Sequence, residues 1–155
     1  MFKACANDLT RKQVYSIVTF YLTTPNAGKD ETLKPKIVKA SSLNEYLTPE
    51  HCYIAENYTS SDVSIARATV KPGVTTLPHH LKGVQEIYLI TSGQGKVTVG
   101  GLETNDVDVG DAVIIPPGIS QKITNTGKSD LVFYCICTPR FSENSYVSEA
   151  VEKLP

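Results

Sequence analysis

The sequence predicts an all-β protein, folded as a sandwich or a barrel. Short β-rich runs recur along the chain at near-regular spacing, and turns rich in glycine and proline separate them. The 155 residues are the length of one domain. With 15 basic and 16 acidic residues the net charge is -1, so we expect no nucleic acid and no membrane surface as partner.

The predicted strands fill the chain from residue 36 to residue 137. They cover residues 36–40, 52–58, 63–70, 86–91, 96–99, 112–115, 121–124 and 131–137. Residues 41–45 are predicted to cap one helical turn through a serine hydroxyl. The only late helix candidate is residues 142–153, so a short C-terminal helix is expected.

The first 35 residues differ in composition from the rest of the chain. Residues 25–31 form a polar, turn-rich linker, and we therefore divide the chain into an N-terminal extension, 1–35, and a barrel domain, 36–155. The extension is expected to pack outside the barrel or to be partly disordered. Residues 14–22 (VYSIVTFYL) have the outline of a signal peptide, but polar residues interrupt the apolar run, so we expect a cytoplasmic protein.

The four cysteines predict neither a disulfide framework nor a zinc site. Cys135 and Cys137 lie two residues apart in an apolar run, and on a strand their side chains point to the same face. A disulfide between them would distort the strand, and no further Cys or His stands at a spacing that would complete a zinc clip. Cys5, Cys52 and this pair are expected to be free thiols.

The chemistry-bearing residues lie between residues 73 and 125. This stretch reads Gly73-x5-His79-His80-Leu81-x4-Glu86-x6-Gly93, followed by Gly110-x5-Pro116-x-Gly118-x2-Gln121-x3-Asn125. It resembles the two motifs of the cupin superfamily, G-x5-H-x-H-x3-4-E-x6-G and G-x5-P-x-G-x2-H-x3-N, at every spacing. The resemblance covers roughly residues 36–140. It implies a double-stranded β-helix, or jelly-roll barrel, and a homodimer that pairs edge strands.

In the family that the sequence resembles, two His and one Glu of the first motif and one His of the second bind a divalent metal. Here Leu81 and Gln121 replace two of the three histidines. Because side chains alternate along a strand, His79 and Leu81 share a face and His80 points away from it. The predicted inward set is therefore His79, Glu86 and Gln121, unless a bulge turns His80 inward.

That set permits two interpretations. In the first, His79, Glu86 and Gln121 hold iron, manganese, nickel or zinc with reduced affinity, because a neutral amide is a poor ligand. In the second, the three side chains satisfy one another by hydrogen bonds and no metal binds. Two more residues are candidates for binding substrate: Tyr88, which shares the face of Glu86, and Arg67. A snorkelling Arg67 at the sheet edge is the alternative for the latter.

Two classes of function stay open from the sequence. One is a metal-dependent enzyme acting on a small polar molecule, such as an oxygenase, an isomerase or epimerase, or a lyase, with Glu86 as ligand or catalytic base. The other is a non-enzymatic barrel that binds or senses a small ligand. The sequence shows no nucleophile–base pair, phosphate loop or nucleotide fingerprint, so it favours no chemistry outside these classes.

Overall fold

The computed structural model describes residues 34–101 and 103–149, and within them strands dominate. Two short 3-10 turns, Ala40–Ser42 and Glu143–Ser145, are the helical segments of this part of the chain. The strands are β1 (Glu45–Leu47), β2 (Tyr53–Thr59), β3 (Ser64–Val70), β4 (His79–Leu81), β5 (Gln85–Ser92), β6 (Gly95–Val99), β7 (Asn105–Val107), β8 (Ala112–Ile115), β9 (Gln121–Asn125), β10 (Leu131–Thr138) and β11 (Tyr146–Ser148).

The strands form two antiparallel sheets. The larger sheet has the order β1-β2-β3-β10-β5-β8, and the smaller has the order β11-β4-β9-β6-β7. Strands distant in sequence therefore lie side by side, and β10 pairs with β3 on one edge and β5 on the other. This double-sheet arrangement is the predicted jelly-roll barrel.

The core lies between the two sheets and is built from alternate residues of each strand. On β10 Leu131 and Phe133 point inward, and on β5 Tyr88 and Ile90 do the same. From the opposite sheet Ile123 of β9 completes the contact. Each of these apolar side chains contributes about 1.5–3 kcal/mol by leaving water. Side chains alternate along a strand, so every second residue points into the barrel whether it is apolar or polar.

Two predicted elements were wrong. Residues 36–39 form no strand, and the chain instead enters the 3-10 turn Ala40–Ser42, in which the Ser42 hydroxyl donates to the carbonyl of Lys39 rather than capping an α-helix. The expected C-terminal helix is not confirmed: after Glu143–Ser145 the chain becomes β11, which pairs with β4. An unpaired edge beside β4 offered backbone hydrogen bonds that outweighed the weak helical preference of this segment. Residues 150–155 lie outside the described residues.

Three strands escaped the sequence prediction, namely β1, β7 and β11, and β4 was assumed only in the alternation argument for His79 and Leu81. Each is three residues long, too short to show a hydrophobic period, and each exists because a neighbouring strand supplies its hydrogen bonds. The remaining strands agree with the prediction to within one or two residues at their ends.

The predicted N-terminal extension, with the signal-peptide-like segment 14–22, falls almost wholly outside the described residues. The boundary at residue 35 therefore stays a prediction. Within residues 34–101 and 103–149, the structure has no helix of the length and apolar character that crossing a membrane requires.

Candidate functional site

A cavity of about 360 Å³ lies within the barrel. Its inner wall carries His79, Glu86 and Tyr88 beside apolar and thiol side chains, and its outer part carries exposed residues of β1, β2 and the segment after β10. A cavity of this size with a few converging polar groups is the usual form of a small-molecule site. The wall residues with ionisable side chains are Tyr46, Glu50, Cys52, Glu56, His79, Glu86, Tyr88, Cys135, Cys137, Arg140, Glu143 and Tyr146.

Three strands bring the predicted site residues together. His79 on β4 lies directly opposite Gln121 on β9 in the strand register, and Glu86 comes from β5 in the other sheet. The side chain of Gln121 donates from Nε2 to Glu86 Oε2 at 2.6 Å and is 3.1 Å from His79 Nε2. All three residues are buried, with exposed fractions of 1% for Gln121, 6% for His79 and 7% for Glu86. They form one hydrogen-bonded group, which we call the triad.

The other ring nitrogen of His79 sets the direction of these hydrogen bonds. Its Nδ1–H donates to the carbonyl oxygen of Leu77 at 3.1 Å, and a carboxylate oxygen of Glu50 lies 3.5 Å away. With the proton on Nδ1, the Nε2 atom is free to accept from Gln121. The ring also lies against that of Tyr146, with 5.1 Å between centroids.

Burial acts against the charged form of Glu86. Burial raises the pKa of the Glu86 carboxyl above its usual value of 4.5, and the hydrogen bond from Gln121 and the nearby His79 offset only part of this rise. The thiol of Cys137 donates to the second carboxyl oxygen, Oε1, at 3.6 Å. Burial also raises the pKa of that thiol to about 12, so it stays protonated. The donors to the two carboxyl oxygens stabilise the charged form, so they oppose the effect of burial on the pKa of Glu86.

Tyr88 and Arg67, the two residues predicted to bind substrate, lie in different places. Tyr88 is buried, lines the cavity and packs on Phe133 with ring centroids 4.5 Å apart. Arg67 does not join the described wall: its neighbours on β3, Ala66 and Ala68, line the cavity, while its guanidinium lies 3.3 Å from Glu45. The predicted role of Arg67 in substrate binding has no support from this position.

His80 lies outside the triad, as strand alternation predicts. In β4 the residues on either side, His79 and Leu81, are buried, whereas His80 is half-exposed. Its Nδ1 pairs with the carboxylate of Glu149, whose other oxygen accepts from the hydroxyl of Ser120 at 2.6 Å. These hydrogen bonds lower the pKa of Glu149, the one from Ser120 most. No bulge turns His80 inward.

Sequence reasoning missed Glu50 and Tyr146 as site residues. Glu50 stands in the turn between β1 and β2, beside His51 at φ +69°, and Tyr146 belongs to the unpredicted β11. No local pattern marks either one. Cys137 carried a signal, because the C-x-C spacing places it on the same strand face as Cys135, and both line the cavity. Cys52, Cys135 and Cys137 are free, as predicted, and Cys5 lies outside the described residues.

Comparison with known proteins assigns the family. A model of the Cupin domain family matches residues 66–137, which contain the whole triad. An uncharacterized protein of Methanocaldococcus jannaschii is 34% identical over 113 residues, covering 72% of this chain and 85% of the relative. This chain belongs to the cupin superfamily. The motif spacings that the sequence shares with cupins are therefore those of a true member.

Solved structures agree with the cupin fold. KdgF of a Halomonas species superposes with a TM-score of 0.65 at 14% identity, over 72% of this cupin and 99% of that chain. Pac13, a nucleoside dehydratase, superposes with a TM-score of 0.63 at 13% identity, over 74% of this cupin and 91% of that chain. Further structures name Streptomyces as the source of Pac13. A predicted oxalate decarboxylase of Thermotoga maritima superposes with a TM-score of 0.62 at 23% identity, over 67% of this cupin and 99% of that chain. At these identities the likeness shows the shared fold alone.

Cupins commonly bind divalent metals, and a metal site requires several donor side chains that converge on one point. Among residues 34–101 and 103–149 there is no group of three or more His, Cys, Asp or Glu side chains arranged to hold a metal ion. The triad offers one imidazole and one carboxylate, and the amide of Gln121 faces both with its NH2 group. Its oxygen, Oε1, is buried without a hydrogen-bond partner. The triad could therefore supply a third metal ligand only through this Oε1 atom.

Proposed function

We propose that this cupin binds a small polar molecule in the barrel cavity and that Glu86 and His79 exchange protons with it. The observation that carries the proposal is the bridging carboxamide of Gln121. It contacts Glu86 Oε2 at 2.6 Å and His79 Nε2 at 3.1 Å, and so holds a carboxyl and an imidazole beside one buried donor.

The two groups suit opposite halves of a proton transfer. Because its pKa is raised, Glu86 keeps its acid form to a higher pH than a solvent-exposed glutamate does, and the acid can donate a proton. His79 carries its proton on Nδ1 and presents Nε2 as an acceptor. An acid and a base whose environments separate their protonation states are what general acid–base catalysis requires. Both residues line the cavity, so a bound substrate can reach both groups.

The reaction class that fits is a proton-shuttling isomerisation or elimination on a small polar substrate. Eliminating water needs a base to remove one proton and an acid to protonate the departing hydroxyl. The similar Streptomyces structure is that of a nucleoside dehydratase, so a barrel of this kind can host such chemistry. Tyr88 on the cavity wall is proposed to contact the substrate.

The unpartnered Oε1 of Gln121 favours a second candidate function. Here the Gln121 amide would turn so that Oε1, the His79 imidazole and the Glu86 carboxylate would hold iron, manganese, nickel or zinc. Such a metal polarises a substrate oxygen when bound. The burial of all three side chains would keep water from competing for the same donors.

Metal analysis separates the two candidates. Protein purified without a tag should contain well under one equivalent of metal, and a chelator should leave its thermal midpoint unchanged. Gln121→His should then lower stability without improving metal binding, because a larger ring replaces a fitted carboxamide. One equivalent of a transition metal, lost to chelator together with a fall in the midpoint, would decide for the metal-dependent enzyme. Gln121→His should in that case tighten metal binding.

Ligand binding is tested with adjacent histidine variants. In a small-molecule screen read by NMR, true ligands should shift the side-chain amide signals of Gln121. His79→Ala should abolish these shifts, whereas His80→Ala, on the outer face of the same strand, should keep them. Ligands that bind equally well to the His79→Ala variant would place binding outside the triad and refute the proposal.

Two expectations from the sequence also stay proposals. One is a homodimer formed through edge strands; β1, at one edge of the larger sheet, carries half-exposed Tyr46 and Leu47, which an edge-pairing partner would cover. The other is a cytoplasmic location.

A further inference from the structure

The charged groups around the cavity are mostly carboxylates. Four glutamates line it, Glu50, Glu56, Glu86 and Glu143, against a single guanidinium, that of Arg140. Within the described part of the chain no lysine lines this cavity. Even with Glu86 neutral, three carboxylates face one fixed positive charge, so the wall is negative overall.

The carboxylates stand in two groups at different depths. At the exposed end, the Tyr46 hydroxyl donates to Glu56 Oε1 at 3.0 Å. Burial, Glu56 and then Glu143 raise the pKa of that hydroxyl, and all three residues line the cavity. Deeper in, a carboxylate oxygen of Glu50 lies 3.5 Å from His79 Nδ1, and this carboxylate, after burial, raises the pKa of Tyr146 to about 12. No described lysine or arginine forms an ion pair with these three glutamates.

The buried end of the site holds an unpartnered acceptor behind the cavity wall. Gln121 is 1% exposed, and its Oε1 has no partner, although the same carboxamide contacts two wall residues, His79 and Glu86. A buried acceptor left without a donor destabilises the folded state. The two partners of the Gln121 carboxamide, His79 and Glu86, line the cavity, whereas Gln121 itself does not. A ligand rich in N–H groups would suit the wall carboxylates, whereas a dianion has only acceptors to offer.

We infer that the cavity selects a small organic cation, an alkylammonium compound, over a carboxylate or a phosphate. The inference rests on the proposed binding function and names the chemical class of its ligand. An ammonium group gains Coulomb energy from Glu50, Glu56 and Glu143, and the rings of Tyr46 and Tyr146 can face it. An anion would have one guanidinium to bind and three carboxylates to avoid.

A matched series of ligands tests the inference. The probes are 1,5-diaminopentane, 1,5-pentanediol and glutarate, which share a five-carbon chain and differ in the charge of their ends. NMR titration at low salt should show the diamine binding at least tenfold more tightly than the diol, with glutarate weakest. Added salt should weaken diamine binding, because the exposed carboxylates are screened.

Charge variants separate the cavity from the general surface. Glu143→Gln and Glu56→Gln should each weaken diamine binding several-fold, since each removes a carboxylate from the exposed end. The control is Glu103→Gln, an exposed glutamate that does not line the cavity, and it should leave binding unchanged. Equal losses in Glu103→Gln and Glu143→Gln would show non-specific attraction and overturn the inference.

The outcomes also distinguish the inference from the function beneath it. If glutarate or the diol binds best and shifts the signals of His79 and Gln121, the cation preference is wrong and the small-molecule function stands. If none of the three probes disturbs these residues, the selection of a cation and its binding at the triad are both rejected.

Discussion

At the scale of single residues, Gln121 determines the character of this site. In the family motif an imidazole stands there, and here a carboxamide joins an imidazole and a carboxyl by its two N–H groups. A carboxamide does not titrate, so Gln121 adds no charge of its own between His79 and Glu86. The protonation state of the triad therefore depends on Glu86 and His79 alone.

We predict that Glu86 makes folding stability depend on pH. Because burial raises its folded pKa above 4.5, the folded state keeps this proton where the unfolded chain has released it. The stabilisation is complete below the unfolded pKa and is lost as pH rises through the folded pKa. Denaturant unfolding with chelator present should show this fall, and Glu86→Gln should flatten it. Identical pH profiles for both proteins would contradict the raised pKa.

The two adjacent histidines should differ sharply in stability. His79→Ala removes a buried hydrogen bond to Gln121 and the contact with Tyr146, and should cost about 1–3 kcal/mol. His80→Ala removes a surface pair with Glu149, and should cost about 0.5 kcal/mol or less. Urea unfolding measures both values. A larger loss for His80→Ala would mean that the outer pair holds the barrel more firmly than the triad does.

At the scale of elements, tight turns let neighbouring strands approach closely. Gly73 and Gly93 both have φ +76°, a conformation that L-residues avoid. A Cβ on Gly73 would meet nothing within 4 Å, whereas one on Gly93 would lie 2.6 Å from the carbonyl oxygen of Asp130 and 2.9 Å from the Cα of Leu131. Gly93 therefore serves the packing of β5 against β10 as well as the turn itself.

This pair of glycines separates backbone strain from steric clash. Gly73→Ala should cost about 1–2 kcal/mol, the strain of a left-handed residue alone. Gly93→Ala should cost at least about 1 kcal/mol more, because backbone atoms must shift to admit the methyl group. Chemical denaturation of the two variants gives the difference directly. Equal losses would show that β10 moves away from the turn without cost.

At the scale of the whole molecule, the site depends on the closure of two sheets. His79 and Gln121 belong to the smaller sheet and Glu86 to the larger, so the triad spans the gap between them. Neither sheet alone can assemble it. Folding and formation of the site should therefore be one cooperative event.

The barrel should fold without the N-terminal segment. All eleven strands described and their core lie within residues 34–149. Deletion of residues 1–30 should leave a β-type far-UV circular dichroism spectrum and a single cooperative thermal transition. A deletion product that aggregates or melts without a sharp transition would show that these residues belong to the core, and that the boundary at residue 35 is wrong.

The sequence alone was sufficient for the family, the barrel and the inward position of His79. Each of these rests on local physics: glycine and proline mark turns, and side chains alternate along a strand with period two. The motif spacings from Gly73 to Asn125 indicate the positions of turns and of inward-facing residues. These positions can be predicted without knowing which strands pair.

Only the tertiary structure decided how the site is connected. The approach of Glu50 and Tyr146 to His79, the outward position of Arg67 and the pairing of β11 with β4 depend on elements far apart in sequence. Such contacts depend on which strands become neighbours, and local strand propensity does not determine strand pairing. The direction of the Gln121 amide belongs here too, because hydrogen-bond partners from three strands set it only when the barrel closes.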